Sequence, residues 1–261
     1  MKEFVKSITS PYEKELIETR RYLHRHPELS FQETDTAAYI RSTLNALSVP
    51  LMEGISGTST VAVIKGEKTG PCIAFRADID ALPVEEENDL PFKSEVPGVM
   101  HACGHDIHTS VILGAALKLK EREASLNGRV RILFQPAEEN FGGAKSMVRA
   151  GALQDVSAIF GMHNEPGLPV GKFATRGGPF YANVDRFAIR ITGKGAHAAR
   201  PHEGNDAILL ASQLVTALQS VASRNVNTLD SVVLSVTRIA GGNTWNVLPE
   251  SVELEGTLRT H

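Results

Sequence analysis

Residues 128–139 read Gly-Arg-Val-Arg-Ile-Leu-Phe-Gln-Pro-Ala-Glu-Glu and join a strand-forming run to two adjacent carboxylates. The run at 128–134 is rich in β-branched, aliphatic and aromatic side chains, which predicts a buried strand. Glu138 and Glu139 follow this strand closely. The segment therefore predicts a pair of carboxylates just beyond the carboxyl end of a strand.

Two further apolar runs end in the same way. Residues 72–76 are followed by Asp78 and Asp80, and residues 156–162 lead directly to His163. In open α/β sheets, ligands bind in the crevice beyond the carboxyl ends of the strands. We therefore expect these polar side chains to meet at one edge of a sheet.

Helical segments alternate with these strands. The predicted helices cover four segments: 11–25, 34–46, 108–123 and 143–150. Thr34 or Asp35 is expected to cap the second helix. The runs at 58–65 and 72–76 predict a hairpin or neighbouring strands, because only a short segment separates them. Strands that alternate with helices predict an α/β fold with a mostly parallel sheet.

The pattern changes after the Gly-Gly-Pro segment at 177–179. Four elements follow in the order β-α-β-β, at 185–192, 206–223, 231–239 and 252–260. We therefore predict two domains, a first one over 1–178 that carries the strand-end residues and a smaller α+β domain over 179–261.

Composition and charge exclude several classes of protein. The chain has 261 residues, of which 42% are hydrophobic and 22% charged, as is usual for a globular protein. A net charge of −3 without a basic patch argues against nucleic acid as a partner. No apolar run is long enough to cross a membrane, and the N-terminal segment does not resemble a secretory signal. With only Cys72 and Cys103 as cysteines, a reduced, cytoplasmic protein is favoured over one with a disulfide.

The segment His-Ala-Cys-Gly-His-Asp-Ile-His at 101–108 places a thiol among three imidazoles. Thiolate and imidazole favour zinc or another late first-row metal, and carboxylate extends the range to manganese. Taken singly, a cysteine or histidine is more often an ordinary core or polar residue. Cys103 and His105, together with Glu139 and His163 at strand ends, instead point to a metal site.

The pair Glu138-Glu139 suits two different roles, because adjacent side chains on an extended segment point in different directions. One carboxylate can bind a metal while the other takes a proton from attacking water and passes it to the leaving nitrogen. The alternative is a pair of solvated glutamates at the start of a helix, stabilised by its dipole.

Other polar residues keep more than one interpretation. Asp78 and Asp80 are candidates for metal ligands, for partners that orient a histidine, or for turn residues before Pro83. His197, in the loop 193–202, is either a surface residue or a donor to a substrate oxyanion. His24 and His26, at the end of a predicted helix, are interpreted as structural.

Seven ordered segments together resemble a known family. They are Leu-His-Arg-His-Pro-Glu-Leu-Ser-Phe (23–31), Phe-Arg-Ala-Asp-Ile-Asp-Ala-Leu-Pro (75–83), Met-His-Ala-Cys-Gly-His-Asp-Ile-His (100–108), Phe-Gln-Pro-Ala-Glu-Glu (134–139), Gly-Met-His (161–163), Gly-Lys-Gly-Ala-His-Ala-Ala-Arg-Pro-His (193–202) and Gly-Asn-Thr-Trp-Asn-Val-Leu-Pro (242–249). The chain resembles the metal-dependent amidohydrolases that cleave N-acyl amino acids, which include hippurate hydrolases, aminoacylase-like carboxypeptidases and auxin-conjugate hydrolases. The resemblance covers essentially the whole chain.

The resemblance implies a catalytic α/β domain with two divalent metal ions, zinc, manganese or similar, and an inserted ferredoxin-like lid that forms a homodimer. The residues that match metal ligands are Cys103, His105, Glu139 and His163. Glu138 matches the general base that acts on a metal-bound water. Asp80 matches the acidic residue that orients a ligand. Related branches have a histidine ligand at the position of Asp78, so the cysteine-containing branch fits best.

Three residues of the second domain match positions near the substrate. His197 matches a lid histidine that completes the site of the partner subunit. Asn246 lies in a lid segment near that site. Arg259 matches a position that holds the substrate carboxylate, a role that suits a guanidinium group.

Chains of this family continue well beyond the length of this one. The lid is expected to have the order β-α-β-β-α-β, of which only β-α-β-β is present here. A helix and a strand of the lid, and the last part of the catalytic domain with a final histidine ligand, are therefore expected to be missing. A truncated gene, a fragment, and a shortened protein with a binding role all fit this expectation.

The expected activity is hydrolysis of the amide bond of N-acyl amino acids. Two alternatives stay open: a metal-binding or dimerising remnant with little catalysis, and a dipeptidase or carboxypeptidase of the same superfamily.

Overall fold

The computed structural model of the chain describes residues 12–140 and 142–261. Contacts within the chain divide it into two compact units, Met1–Gly167 and Leu168–His261. The domain boundary expected at 178/179 falls within the second of these units and stays a prediction. No helix among the described residues is long and apolar enough to cross a membrane.

The first unit alternates helices and strands, as predicted. Its elements are α1 (Glu13–Arg25), α2 (Thr34–Ala46), β1 (Thr60–Lys65), β2 (Lys68–Asp78), α3 (His105–Glu121), a short 3-10 helix (Glu123–Ser125), β3 (Asn127–Gln135), α4 (Gly143–Arg149) and β4 (Val156–Gly161). Pro11, at which the first helix was expected to begin, lies outside the described residues.

The four strands of this unit form one sheet in the order β1-β3-β2-β4. β2 runs parallel to both β3 and β4, whereas β1 is antiparallel to β3, so the prediction of a mostly parallel sheet is confirmed. The predicted pairing of β1 with β2 is wrong, because β3 lies between them. Most side chains of β3 are buried on both faces, which favours a central position in the sheet.

The connection between β1 and β2 passes close to the start of β3. The backbone N–H of Gly66 donates to the carbonyl of Gly128 over 2.9 Å. A Cβ atom on Gly66 would lie 2.1 Å from the carbonyl oxygen of Leu126. Glycine at this position therefore lets the chain cross to the far side of β3 and makes the order β1-β3-β2 possible.

Helices cover both faces of this sheet. On one face, α2 and α3 pack on alternate residues of the strands in a core that includes Ile40, Ile112, Ile132 and Phe134. On the other face, Met147 of α4 packs against Leu133 and neighbouring apolar residues. The layers therefore bury both faces of the sheet and leave the ends of its strands available for a site.

The start of α2 is stabilised in an unexpected way. Neither Thr34 nor Asp35 caps this helix, because both already lie within it and Glu33 occupies the cap position. The backbone N–H groups of Asp35 and Thr36 instead donate to the carboxylate of Glu28, at 3.1 and 2.7 Å. A carboxylate here satisfies backbone donors of the first turn and complements the helix dipole.

The second unit has the predicted order β-α-β-β. Its main elements are β5 (Asn183–Thr192), β6 (Ala196–His197), a 3-10 helix (Pro201–Glu203), α5 (Ala207–Arg224), β7 (Val232–Gly241), β8 (Val247–Leu248) and β9 (Ser251–Thr260). β9 lies between β5 and β7 in an antiparallel sheet, and β6 pairs with β8. Ala207 and Ala211 of α5 pack against Val252 and Leu254 of β9.

A buried polar network joins α1 to α3. His24 lies at hydrogen-bond distance from two carboxylates, 2.7 Å from Asp106 and 3.2 Å from Glu86. Arg20 also contacts Asp106, at 2.8 Å. His24 is therefore a buried link between two helices and the loop that carries Glu86, in agreement with the structural role expected from the sequence.

We expect this network to make the stability of the protein depend on pH in both directions. Burial alone would lower the pKa of His24, but its hydrogen bonds to Asp106 and Glu86 outweigh burial and raise that pKa above 6.5. The stabilisation by His24 is therefore complete below its ordinary pKa and is lost as pH rises through the raised value. Burial alone would raise the pKa of Glu86, but hydrogen bonds from Ser94 and His24 lower it below 4.5. The contribution of Glu86 is thus present above its ordinary pKa and is lost as pH falls.

The measurement is the free energy of unfolding by denaturant in a pH series from about 5 to about 9, the range in which a histidine contributes. His24→Gln keeps a polar side chain that does not titrate, so the decline at alkaline pH should be smaller in this variant than in the wild type, with the remainder due to His105, whose pKa is also raised. An alkaline decline of equal size in the wild type and in His24→Gln would contradict the prediction.

Candidate metal centre

Three parallel strands bring the polar residues that follow them to one edge of the sheet. Asp78, the last residue of β2, lies opposite Gln135, the last residue of β3. Gly161, which ends β4, lies opposite Arg76 of β2. The segments that carry Asp80, the glutamate pair and His163 therefore leave the sheet side by side, as expected from the sequence.

Three predicted residues form the first candidate ligand group. The ligand atoms of Cys103, His105 and His163 all lie within 4.8 Å of one another. The Cys103 Sγ and His163 Nε2 atoms are 3.4 Å apart. This arrangement offers one sulfur and two nitrogen atoms, a set that transition metals such as zinc prefer.

The glutamate pair meets the same histidine. The ligand atoms of His105, Glu138 and Glu139 also lie within 4.8 Å of one another. His105 Nε2 is 3.9 Å from a carboxylate oxygen of Glu139. His105 is therefore shared by both groups, and the structure brings all four predicted ligands and the predicted base together.

The tight turn before α3 sets the positions of Cys103 and His105. Gly104 precedes the first residue of α3 and has a left-handed backbone with φ of 83°. A Cβ atom there would lie 2.3 Å from the side-chain oxygen of Asn164. Only glycine satisfies both conditions without strain, so it allows Cys103 and His105 to lie next to each other near Asn164.

Hydrogen bonds to one ring nitrogen orient each histidine. His105 Nδ1 lies 2.8 Å from the carbonyl oxygen of Asp80, and His163 Nδ1 lies 2.7 Å from the carbonyl oxygen of Asn164. Such contacts fix the tautomer and direct Nε2 toward a metal. His105 Nε2 is buried and makes no hydrogen bond within the described part of the chain. A buried nitrogen beside a thiol and carboxylates fits a bound transition metal.

The negative groups around His105 favour its protonated form when no cation is present. Burial alone would lower the pKa of His105, but contacts with Asp80 and Cys103 and the charge of Asp78 raise it to about 11. Metal ligands of this type bind in their deprotonated form.

Asp78 is engaged with other partners. Its carboxylate lies 2.6 Å from His108 Nδ1 and 2.7 Å from a guanidinium nitrogen of Arg76. Burial alone would raise the pKa of Asp78, but these contacts and the charge of His105 hold it well below its usual range. Asp78, His105 and His108 form a third candidate ligand group. The guanidinium of Arg76 already balances the charge of Asp78, which favours an orienting role over a ligand role.

His101 and His108 differ from His105 in their surroundings. His108 Nε2 lies 2.6 Å from the side-chain oxygen of Asn164, so this histidine links Asp78 to the segment of His163. His101 is buried, and burial lowers its pKa to about 4. Among the described residues, no candidate ligand group includes His101.

Asp80 connects three parts of the centre. One carboxylate oxygen accepts a hydrogen bond from Ser30 at 2.7 Å and another from the backbone N–H of Glu139 at 3.1 Å. The other oxygen lies 3.3 Å from His105 Nδ1. This geometry supports the role of orienting a ligand that was expected for Asp80.

We expect Asp80→Asn to weaken metal binding about 10- to 100-fold, because the variant loses a charged partner of His105. The dissociation constant is measured by competition with a chromophoric chelator. Asp89→Asn, at an exposed aspartate outside the centre, is the control and should leave the constant unchanged. Wild-type affinity in Asp80→Asn would contradict the orienting role.

Glu138 has the environment of a base. It is half-buried, and burial followed by the charges of Glu139 and Asp78 raises its pKa above 4.5. A base with a raised pKa transfers protons more effectively near neutral pH. The alternative of two solvated glutamates at a helix start fits less well, because α4 begins only at Gly143.

Three predicted residues lie in the second unit. The backbone N–H of Ala199 donates to Nδ1 of exposed His197 at 3.1 Å, so the neutral ring carries its proton on Nε2. The carbonyl of Asn246 accepts a hydrogen bond from Ala198 at 2.9 Å, which brings Asn246 near His197. Arg259 is exposed on β9, on the face of the sheet turned away from α5.

Sequence reasoning missed three residues that hold the centre together, namely Ser30, Glu33 and Asn164. Ser30 contacts Asp80 across 50 positions of sequence, and Glu33 contacts Ala137 across 104. No spacing rule joins residues so far apart. Ser30 lies in the matching segment 23–31 and Asn164 directly follows His163, which was the available signal for these two, whereas Glu33 lies outside the matching segments.

Comparison with known proteins gives consistent matches. A model of peptidase family M20/M25/M40 matches residues 74–253. N-acetyl-L-cysteine deacetylase of Bacillus subtilis is 51% identical over 251 residues, covering 96% of this chain and 60% of that relative. N-acyl-L-amino acid amidohydrolase of Geobacillus stearothermophilus is 46% identical over 260 residues, covering 99% of this chain and 70% of that relative.

A solved structure agrees with these matches. The Bacillus subtilis YXEP protein, a dinuclear metal-binding peptidase from the M20 family, has a TM-score of 0.81 and 46% identity. The match covers 96% of this chain and 65% of that one. The chain thus spans only 60% to 70% of the length of the two curated relatives described above.

Proposed function

Because the chain belongs to peptidase family M20/M25/M40, we propose that the protein hydrolyses the amide bond of N-acyl amino acids with two divalent metal ions. The observation that carries this proposal is the meeting of Cys103, His105, Glu139 and His163 beside the half-buried carboxylate of Glu138. The relatives named above, a deacetylase of N-acetyl-L-cysteine and an N-acyl amino acid amidohydrolase, support the choice of substrate class.

Cys103, His105, Glu139 and His163 would hold the metal, which when bound supplies Lewis-acid polarisation and lowers the pKa of water. Glu138 takes a proton from the water that attacks the amide carbonyl and delivers it to the leaving nitrogen. Asp80 keeps His105 in position throughout. The raised pKa of Glu138 supports this part of the proposal.

Three residues of the second unit are assigned to substrate binding in this proposal. In the dimer, His197 completes the site of the partner subunit, where its Nε2–H donates to the oxyanion that forms on the attacked carbonyl. Asn246 lies near His197 and assists in binding the substrate. The guanidinium of Arg259 pairs with the carboxylate of the amino acid, an interaction that its planar donors suit.

Three further features belong to the proposal. Residues 1–178 form the catalytic domain and 179–261 the lid, and two copies of the protein associate through their lids. Ile208, Leu209 and Leu210 of α5 have exposed apolar side chains, which supports such an association. The mass of the protein in solution tests the dimer.

A reducing compartment such as the cytoplasm suits the protein, because Cys103 acts as a free thiol.

The experiment that tests the activity uses the 261-residue protein with hippurate or an N-acetyl amino acid and added zinc or manganese. Turnover that a chelator abolishes and added metal restores is the expected result. Bound metal without turnover would instead favour a metal-binding remnant without catalysis.

A second candidate function is cleavage of peptides, which the similarity to a dinuclear metal-binding peptidase favours. A dipeptide with a free amino terminus and the same dipeptide with an acetylated amino terminus separate the two functions. An amidohydrolase of N-acyl amino acids requires the blocked terminus, whereas a dipeptidase prefers the free one.

A further inference from the structure

Glu33 is a buried carboxylate close to the candidate metal centre but outside the ligand groups. Its side chain is fully buried. One carboxylate oxygen accepts hydrogen bonds from the backbone N–H groups of Phe31 at 3.0 Å and Ala137 at 2.8 Å. The other accepts from the hydroxyl of Thr58 at 2.8 Å. Glu33 thus joins the loop before α2 to the segment that carries the two glutamates.

This carboxylate does not serve the helix that follows it. Glu33 occupies the cap position of α2, yet its side chain makes no cap hydrogen bond there. Glu28 satisfies the first turn of that helix instead. In the described part of the chain, no basic side chain lies within ion-pair distance of Glu33. A carboxylate buried without a cation is costly, so its three hydrogen bonds have to hold it in place.

The hydrogen bond to Ala137 acts on an unusual backbone. Ala137 has a φ of 48°, in the left-handed region that residues other than glycine rarely adopt. It directly precedes Glu138 and Glu139, so its torsion angles determine the direction in which both side chains leave the backbone. Beyond it, the backbone N–H of Glu139 is held by Asp80. The glutamate pair is therefore fixed from Glu33 on one side and from Asp80 on the other.

We propose that Glu33 is a positioning residue, whose carboxylate holds Ala137 in the left-handed conformation and so directs Glu138 to the reacting amide and Glu139 to the metal. This inference rests on the proposed function of Glu138 and Glu139. Thr58 and Phe31 hold the carboxylate of Glu33 itself in place. Glu33 touches neither substrate nor metal and acts only through the backbone of Ala137.

The test compares Glu33→Ala, Glu33→Asp and Glu33→Gln in the 261-residue protein. Glu33→Gln keeps an oxygen that accepts from Ala137 and an amide group that donates to Thr58, so it should retain kcat. Glu33→Asp is one methylene shorter and keeps the charge but does not reach Ala137. Both Glu33→Ala and Glu33→Asp should lower kcat about 10- to 100-fold with little change in KM, because a small displacement of a catalytic group has this effect.

Two measurements without turnover accompany the kinetics. The amide hydrogen of Ala137 should exchange faster in Glu33→Ala and Glu33→Asp than in the wild type and Glu33→Gln. The visible absorption of the cobalt-substituted protein should change in the same two variants, because Glu139 shifts relative to the metal. Glu33→Asp gives the answer if Glu33→Ala does not fold.

Glu28→Ala is the matched control, since it removes a carboxylate of the same loop that contacts α2 but not Ala137. Its kcat and cobalt spectrum should stay as in the wild type. Wild-type kcat in Glu33→Asp, or an equal loss of kcat in Glu28→Ala, would overturn the inference. Loss of kcat in Glu33→Gln equal to that in Glu33→Ala would overturn it as well. A wild-type protein without chelator-sensitive turnover would refute the proposed function instead, and the exchange of Ala137 would still decide whether Glu33 holds that residue.

Discussion

Glu138→Gln is expected to lower kcat by about 100- to 10,000-fold while the protein keeps its full metal content. The amide of glutamine has nearly the shape of the carboxylate but cannot accept a proton from water at neutral pH. Glu138 is half-buried beside Glu139, and its raised pKa suits a group that both takes up and releases a proton. The measurement is kcat with an N-acetyl amino acid, together with metal analysis of the same sample.

The adjacent variant Glu139→Gln gives the comparison. Glu139 is the proposed ligand, so this variant should lose metal affinity together with turnover, whereas Glu138→Gln loses turnover alone. If Glu138→Gln turned over substrate at the wild-type rate, the assignment of the base would be wrong. If it lost metal to the same extent as Glu139→Gln, the two glutamates would have the same role.

His105→Ala is expected to remove metal binding and, with it, all measurable turnover. His105 belongs both to the candidate ligand group with Cys103 and His163 and to the group with Glu138 and Glu139. Its loss therefore affects both groups. The carboxylates of Asp78 and Asp80 also lose the His105 ring, which lies within ion-pair distance of both. The readouts are metal content after dialysis and the shift in thermal unfolding on adding metal, which should be absent in the variant.

His101→Asn is the control for this prediction. His101 lies in the same segment and is also buried, but it belongs to no candidate ligand group of the described residues. The His101→Asn variant should bind metal as the wild type does, even if its free energy of unfolding is lower. Metal binding in His105→Ala at wild-type affinity would exclude His105 as a ligand.

The placement of the centre could be predicted from the sequence because it depends on a local rule. Each of three apolar runs is followed at once by its polar residues, and parallel strands bring their carboxyl ends to a common edge. Asp78, Glu139 and His163 could thus be assigned to one place without knowledge of their contacts.

Other features depend on contacts between distant residues and could not be predicted. β1 and β2 were expected to pair because they are close in sequence, but β3, most of whose side chains are buried, lies between them. The cap of α2 comes from Glu28 rather than from Thr34 or Asp35. The hydrogen bond from Ala137 to Glu33 could not be predicted, because the two residues are 104 positions apart in sequence. The left-handed backbone of Ala137 depends on contacts in the folded chain and not on its residue type.

The position of β3 in the sheet also determines when the protein can fold during its synthesis. β1 and β2 have no strand to pair with until residues 127–135 have left the ribosome, so the sheet forms late. Contacts between segments far apart in sequence also slow folding. His163 leaves the ribosome later still, so the group that it forms with Cys103 and His105 cannot assemble before that point. The candidate ligand groups can therefore form only after the last strand of this sheet has been synthesised.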